Sequence, residues 1–437
     1  MITVYRNARL LDPAGGLDAP GGVLVDGETI GAVGPGLFAD PDTMPEGAQV
    51  VDCAGACLAP GLVDLRAKIG EPGEEHKETI DTASLAAAAG GVTALAMLPT
   101  TDPPVDSVHG LEFVARRARS AMRTKIYPYA CLTRAAAGEQ ITEMGLLAES
   151  GAVAFTDGPK AVADSLVMLR ALSYATTFDL LICQHPEDPR LAAAGVMNEG
   201  EVATRLGLPG IPREAESVLI ERDLRLVART GARYHIAHIS TAEAVGLVRG
   251  AKARGLPITC DTSPPYFALT EMDVTDYRTF AKLSPPLRGE DDRRAIVAGL
   301  ADGTIDAIAS DHDPQDTDSK RLPFATAAIG GAGLETLLPV ALDLYHTGAL
   351  SLLEVLRRLT TAPADILRLP LGRLQVGAAA DLIVFDPDRA WRIDAEKLVG
   401  KSKNSPFDRR LTSGRVLRTV VDGRTVYQGA ADPTGHP

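Results

Sequence analysis

The chain has 437 residues, 45% of them hydrophobic and 23% charged, which excludes a disordered or fibrous protein and allows a large core with a smaller satellite. Its net charge of -13 comes without any run of Lys and Arg, which argues against nucleic acid or an anionic membrane as a partner. The five cysteines (Cys53, Cys57, Cys131, Cys183, Cys260) form no Cys-x-x-Cys pair, the N-terminus lacks a signal-peptide pattern, and no apolar run could span a bilayer; a soluble, cytoplasmic protein without a disulfide framework is expected.

Short strands open the chain. Ile2–Tyr5, Gly22–Val25 and Thr29–Val33 are apolar or β-branched runs, and Asp26-Gly27 marks a hairpin turn. Eight apolar strand-like runs follow: Leu62–Ile69, Val92–Leu98, Ile126–Cys131, Ala152–Thr156, Leu180–Gln184, Tyr234–Ile239, Pro257–Cys260 and Asp306–Ser310. Segments between them, such as Glu214–Thr230, Thr241–Arg254 and Asp291–Leu300, carry apolar residues at helical spacing. Continuous apolar strands alternating with helices predict a parallel sheet covered on both faces, and eight units match a (β/α)8 barrel. A doubly wound open sheet is the alternative, but no Gly-rich phosphate loop follows the first strand. The chain ends as it begins, with Asp381–Phe385, Val416–Val421 and Arg424–Tyr427, the last two joined by Asp422-Gly423. The expected organisation is a composite β-domain from residues 1–55 and 376–437 around a barrel of residues 56–375.

Polar residues gather where the apolar runs end: Arg66, Lys68, Asp102, Asp157, His185, His238, Asp261 and Asp311. A barrel carries its site at the C-terminal ends of its strands, so these side chains should converge on one mouth. His235 lies three residues before His238 on one strand and should face the other way.

Several long segments, in order, resemble the long-form bacterial dihydroorotases of the amidohydrolase superfamily. They include Ala-Pro-Gly-Leu-Val-Asp (59–64), Glu-Pro-Gly-Glu-Glu-His-Lys-Glu-Thr (71–79), Met-Asn-Glu-Gly (197–200) and Leu-Gly-Leu-Pro-Gly-Ile-Pro (206–212). His-Ile-Ala-His-Ile-Ser-Thr (235–241), Pro-Pro-Leu-Arg (285–288), Asp-Gly-Thr-Ile-Asp (302–306) and Gly-Leu-Glu-Thr-Leu-Leu-Pro (333–339) continue the match. The resemblance implies hydrolysis of a cyclic amide by metal-bound hydroxide, with metals held by a His-x-His pair on strand 1, a shared Asp and two further His. It assigns the shared Asp to Asp157, the later histidines to His185 and His238, and the proton-shuttling Asp to Asp311.

Where the family has His-x-His, this chain reads Asp64-Leu65-Arg66-Ala67-Lys68, and neither Arg66 nor Lys68 offers a lone pair to a cation. The positions that hold the substrate carboxylate in the family read Gly70, Asp102 and Gln315, so an Arg, an Asn and a His are missing, and Asp102 would meet that carboxylate with like charge. Arg66 and Lys68 are instead expected to balance the buried carboxylates Asp157 and Asp311. The acidic stretch Asp313–Lys320 reads as a solvated face.

The resemblance is strongest to dihydroorotase-like proteins that lack the metal ligands and assemble with aspartate carbamoyltransferase. It implies a catalytically inactive scaffold of pyrimidine biosynthesis, with no cofactor, in an oligomer or hetero-oligomer. The alternative is a divergent cyclic-amide hydrolase with one zinc ion at Asp157, His185 and His238.

Overall fold

The computed structural model describes residues 1–429. Its N-terminal strands β1 (Ile2–Asp12), β2 (Leu17–Asp26) and β3 (Thr29–Pro35) form an antiparallel meander, while β4 (Gln49–Asp52) and β5 (Cys57–Pro60) lie parallel to β1. β1 runs well past the predicted Ile2–Tyr5 because a register shift lies between Tyr5 and Ala8, where Asn7 is left-handed with φ 54°. Such a bulge breaks the alternation by which a strand is recognised.

The barrel follows. β6 (Leu62–Ala67), β7 (Val92–Met97) and β8 (Lys125–Pro128) pair in parallel. β9 (Leu181–Gln184), the short excursion β10 (Met197–Asn198) with β11 (Gly210–Ile211), and then β12 (Arg233–Ile236), β13 (Ile258–Thr262) and β14 (Ala307–Ile308) complete the set. The predicted strand at 152–156 is irregular yet bonded on both sides: Thr156 N–H donates to Ala130 (3.0 Å) and Phe155 N–H to Leu181 (3.0 Å). The ring closes where Lys68 N–H donates to the His312 carbonyl (2.7 Å), which excludes the open doubly wound sheet. A second bond across that seam comes from Asp64, whose carboxylate accepts the Ser310 N–H (2.7 Å) and hydroxyl (2.6 Å).

β15 (Leu382–Arg392), β16 (Leu411–Val421) and β17 (Arg424–Gln428) return to the first sheet, giving the order β17-β16-β15-β5-β1-β2-β3 with β4 on β1. The strand period of two decides the packing: Leu382 and Val384 enter the sheet's own core, whereas Ile383 and Phe385 face the barrel helices. Residues 430–437 of the expected β-domain lie outside the described residues. All five cysteines are buried and unpaired, and no described helix is long and apolar enough to cross a membrane.

Candidate functional site

Each residue singled out at a strand end lies around the barrel mouth, but two halves of that mouth differ. On the side of β6 and β14, charge is neutralised by side chains. Arg66 Nε donates to Asp311 Oδ1 at 2.8 Å, with the two side chains 7% and 19% exposed. Burial raises the Asp311 pKa and the adjacent guanidinium opposes that rise. Lys68 reaches Asp313 (3.5 Å) and Glu74 (3.7 Å).

The family's substrate-binding positions on this side are closed. At Gly70 the chain folds back, and Glu74 N–H donates to the Gly70 carbonyl. A Cβ there would stand 2.3 Å from the Glu74 carbonyl oxygen, so the turn itself excludes an arginine. Gln315 turns inward: its amide donates to Asp313 Oδ1 (2.9 Å), and its backbone N–H donates to Asn404 Oδ1 (3.1 Å). Asp102 is exposed.

The acidic stretch departs from the expected solvated face. Asp313 is engaged by Lys68 and Gln315, and Lys320 is buried, its ammonium donating to the Ala328 (2.8 Å) and Thr279 (3.0 Å) carbonyls. Burial pushes the Lys320 pKa down to about 7. Backbone carbonyls satisfy a buried cation as well as carboxylates do geometrically, and no sequence pattern announces them.

The side of β9 and β12 keeps its ligand-type residues. His185 Nδ1 and His238 Nε2 stand 3.1 Å apart, His185 Nε2 lies 3.7 Å from Glu187, and His238 Nδ1 is buried without a partner. This is consistent with His238 Nε2–H donating to His185 Nδ1. Burial holds His238 well below the usual imidazole pKa, and Arg66 adds to that shift. His238 (φ 37°) and Asp311 (φ 49°) both hold left-handed backbones, strain of a kind that collects at functional positions. Asp157 accepts the backbone N–H of Thr133 (2.8 Å) and the Thr133 hydroxyl, so its partner is neither Arg66 nor Lys68 as expected. Strand-end carboxylates are satisfied here by the nearest loop donor, Thr133, which no charge pattern points to. Asp157, Lys160, His185 and Glu187 line a cavity of about 260 Å³. His235 does not face away as expected: it points into the barrel beneath the mouth and holds Asp261 at 2.8 Å, the same carboxylate that accepts the His238 N–H (2.6 Å), because the left-handed backbone at His238 (φ 37°) breaks the strand alternation.

Would these residues hold zinc? Two imidazole donors on one tetrahedral zinc, at about 2.0–2.1 Å each, would be about 3.3 Å apart, close to the His185–His238 spacing. A third donor does not join them. The Asp157 oxygens serve Thr133, Asp311 serves Arg66, and among the described residues no three His, Cys, Asp or Glu side chains form a group able to hold a metal. A zinc centre takes three or four protein ligands, so the donor set does not fit the ion.

Three segments singled out in the sequence, 197–200, 235–241 and 285–288, meet behind the mouth. Arg288 donates to Asn198 (2.9 Å), Ser240 (3.0 Å) and Glu216 (3.4 Å), and Glu216 also accepts the Ser240 N–H (2.9 Å). Glu216, 0% exposed, escapes a reading of the sequence because it lies in the first turn of the helix Glu214–Thr230, where an acidic residue is ordinary.

A closed eight-stranded parallel barrel with a β-domain built from both termini, and a mouth bearing His185, His238, Asp157 and Asp311, defines an amidohydrolase-type protein. Residues 55–244 match the dihydro-orotase-like family and residues 294–427 the amidohydrolase family. The chain is 45% identical to the dihydroorotase of Anaplasma phagocytophilum over 425 residues, covering 97% of this chain and 95% of that protein. It is 44% identical to the dihydroorotase of Pelobacter propionicus, covering 98% of this chain and 100% of that one. The chain belongs to the dihydroorotase family. In fold it resembles the L-hydantoinase (dihydropyrimidinase) of Arthrobacter aurescens, with a TM-score of 0.85, 24% identity, and 98% and 96% of the two chains covered. The dihydropyrimidinase of Brevibacillus agri is similar, with a TM-score of 0.82 and 22% identity over 98% and 95% of the chains.

Proposed function

We propose that this chain is a non-catalytic member of the dihydroorotase family that serves pyrimidine biosynthesis as a scaffold for aspartate carbamoyltransferase. The supporting observation is the Arg66–Asp311 ion pair, in which a guanidinium occupies the surroundings of the carboxylate that would shuttle a proton. Closure of the turn at Gly70 and the inward bond of Gln315 point the same way, because they leave the carboxylate of dihydroorotate without its binding groups. The Arg288–Glu216–Asn198 knot keeps the loops of this face in shape without any metal. A contact surface needs that shape and does not need a ligand set.

The second reading is a dihydroorotase-type cyclic-amide hydrolase with one zinc ion. The His185–His238 spacing of 3.1 Å favours it, as do the names of the relatives. One set of measurements separates the two: zinc content after purification, hydrolysis of dihydroorotate with excess zinc, and co-expression with aspartate carbamoyltransferase followed by size exclusion. The scaffold reading expects well under one zinc per chain, no turnover, and co-elution through an interface above roughly 1,000 Å². Hydrolysis within about a hundredfold of the turnover of an ordinary enzyme overturns inactivity. Separate elution, with transcarbamoylase activity independent of this chain, overturns the partner.

A further inference from the structure

The sequence shows no basic run, yet folding assembles one. In the seam between barrel and β-domain lies a cavity of about 370 Å³ whose cations, Arg389, Arg392, Lys397 and Arg415, come from two strands and the turn after the first. Two acids share it, and each already has a partner, Asp394 within the cavity itself. Glu335 accepts the backbone N–H groups of Val399 (3.0 Å) and Gly400 (2.9 Å), and Asp394 pairs with Lys397 at 3.3 Å. Arg392 donates only to the Arg409 carbonyl (3.1 Å), and Arg415 has no carboxylate or carbonyl partner among the described residues. Arg415 instead lies over the ring of Trp391 at 4.2 Å, and the indole N–H donates to the Gly414 carbonyl (2.8 Å). Tyr427 completes the wall.

Two guanidiniums without a carboxylate partner among the described residues, in a concave seam of a chain with net charge -13, form a local reversal of the molecule's field. Guanidinium forks match phosphate oxygens in pairs, and a guanidinium stacked on an indole is held with its donors directed outward. The volume lies within the range of small-molecule pockets and suits a ligand of mononucleotide size. We infer that this seam binds a phosphorylated small molecule, its phosphates on Arg392 and Arg415 beside the Trp391 ring. The site is separate from the barrel mouth and stands whether or not the mouth is catalytic.

Trp391 is the only tryptophan of the chain, so fluorescence excited selectively at tryptophan, beyond the absorption of the nine tyrosines, reads this cavity. The test titrates the full-length protein with adenosine 5′-triphosphate, inorganic tripolyphosphate and adenosine, following fluorescence and, in parallel, heat. Saturable binding of both polyanions, and weaker binding of adenosine, is the expected result. A tighter fit for the nucleotide than for tripolyphosphate assigns a role to the ring, and equal affinities assign the site to a polyphosphate group. The double variant Arg392→Gln/Arg415→Gln should weaken either polyanion at least about tenfold, as the loss of charge-assisted hydrogen bonds predicts. Because Arg392 is exposed, its single variant will fold and keeps the test valid if the double variant does not. Trp391→Phe, read by calorimetry, should retain the phosphate contribution. No signal and no heat with either polyanion at millimolar concentration, or binding that the arginine variants leave unchanged, overturns the inference.

Discussion

The two halves of the barrel mouth have the same architecture and opposite chemistry. Between β6 and β14, the charged groups at the strand ends have side-chain partners, Arg66 with Asp311 and Lys68 with Asp313, and Gln315 also bonds Asp313. Between β9 and β12, two imidazoles face each other across 3.1 Å and one ring nitrogen is buried without a partner. The first half has become a closed electrostatic network, and the second keeps the donors of a site without the third ligand that would complete it. A metal centre needs three or four ligands together, so a change on one strand bears on the donors that the other strands keep. Buried charge, by contrast, must be balanced locally, which is why Arg66 and Lys68 stand against Asp311 and Asp313.

Removing the cation of the altered half should have the largest effect. Arg66→Met leaves the partly buried Asp311 without its partner and should cost about 3 kcal/mol, measured by urea unfolding near pH 8. The sign with pH follows from the direction of the shift. Burial already raises the Asp311 pKa while Arg66 opposes it, so the variant lifts it further above its unfolded value. The folded state then binds more protons than the unfolded one, and stability falls as pH rises through that window. The penalty should therefore be small near pH 4 and fully developed near pH 8. An equal penalty at both would show that Arg66 acts through packing and not through charge.

In the retained half the corresponding change is milder. Thr133→Val keeps the backbone N–H on Asp157 but removes the hydroxyl, leaving one carboxylate oxygen short of a donor in a buried site. A loss of about 1–3 kcal/mol is expected in thermal or urea unfolding. If Thr133→Val is neutral while Arg66→Met is costly, the retained half is the more hydrated of the two, as the cavity beside Asp157 would allow.

The frame is legible in the sequence and the wiring of the mouth only half so. Helix Glu214–Thr230 agrees with its predicted limits, because apolar residues at helical spacing over 17 residues leave little choice. Charge balance points to Arg66 and Lys68 as partners of Asp157 and Asp311, and of these pairings Arg66–Asp311 forms. It does not point to the actual partner of Asp157, because a threonine on a loop 24 residues away carries no charge signal. Gly70 reads as a missing arginine, whereas the structure shows a turn that no side chain can enter. Lys320 reads as part of a solvated stretch, since burial against backbone carbonyls leaves no trace in residue type. The basic seam escapes for a simpler reason: Arg392 and Arg415 are brought together by strand pairing and not by sequence proximity.

The smallest expected effect lies beside the largest one. Lys68 is two residues from Arg66 on the same strand end and also stands where a metal ligand stands in the family, yet its contacts differ in kind. Its ammonium lies 3.5 Å from Asp313 and 3.7 Å from Glu74, and the side chain is 17% exposed. These are longer contacts, shared between two acids, each of which has another partner: Gln315 for Asp313 and Lys77 for Glu74. Removing the ammonium therefore strands no carboxylate. Lys68→Ala should cost about 0–1 kcal/mol, the range of partly solvated ion pairs, and that small cost should shrink further in high salt. Arg66→Met should keep more of its penalty under the same conditions, because its pair is a direct hydrogen bond at 2.8 Å from a guanidinium only 7% exposed. A double-mutant comparison completes the test: with separate carboxylate partners, the two losses should add within about 0.5 kcal/mol. A coupling well above that would mean that Arg66 and Lys68 share one electrostatic network across the β6–β14 seam, and the altered half of the mouth would then be a single cooperative unit, as a metal centre is.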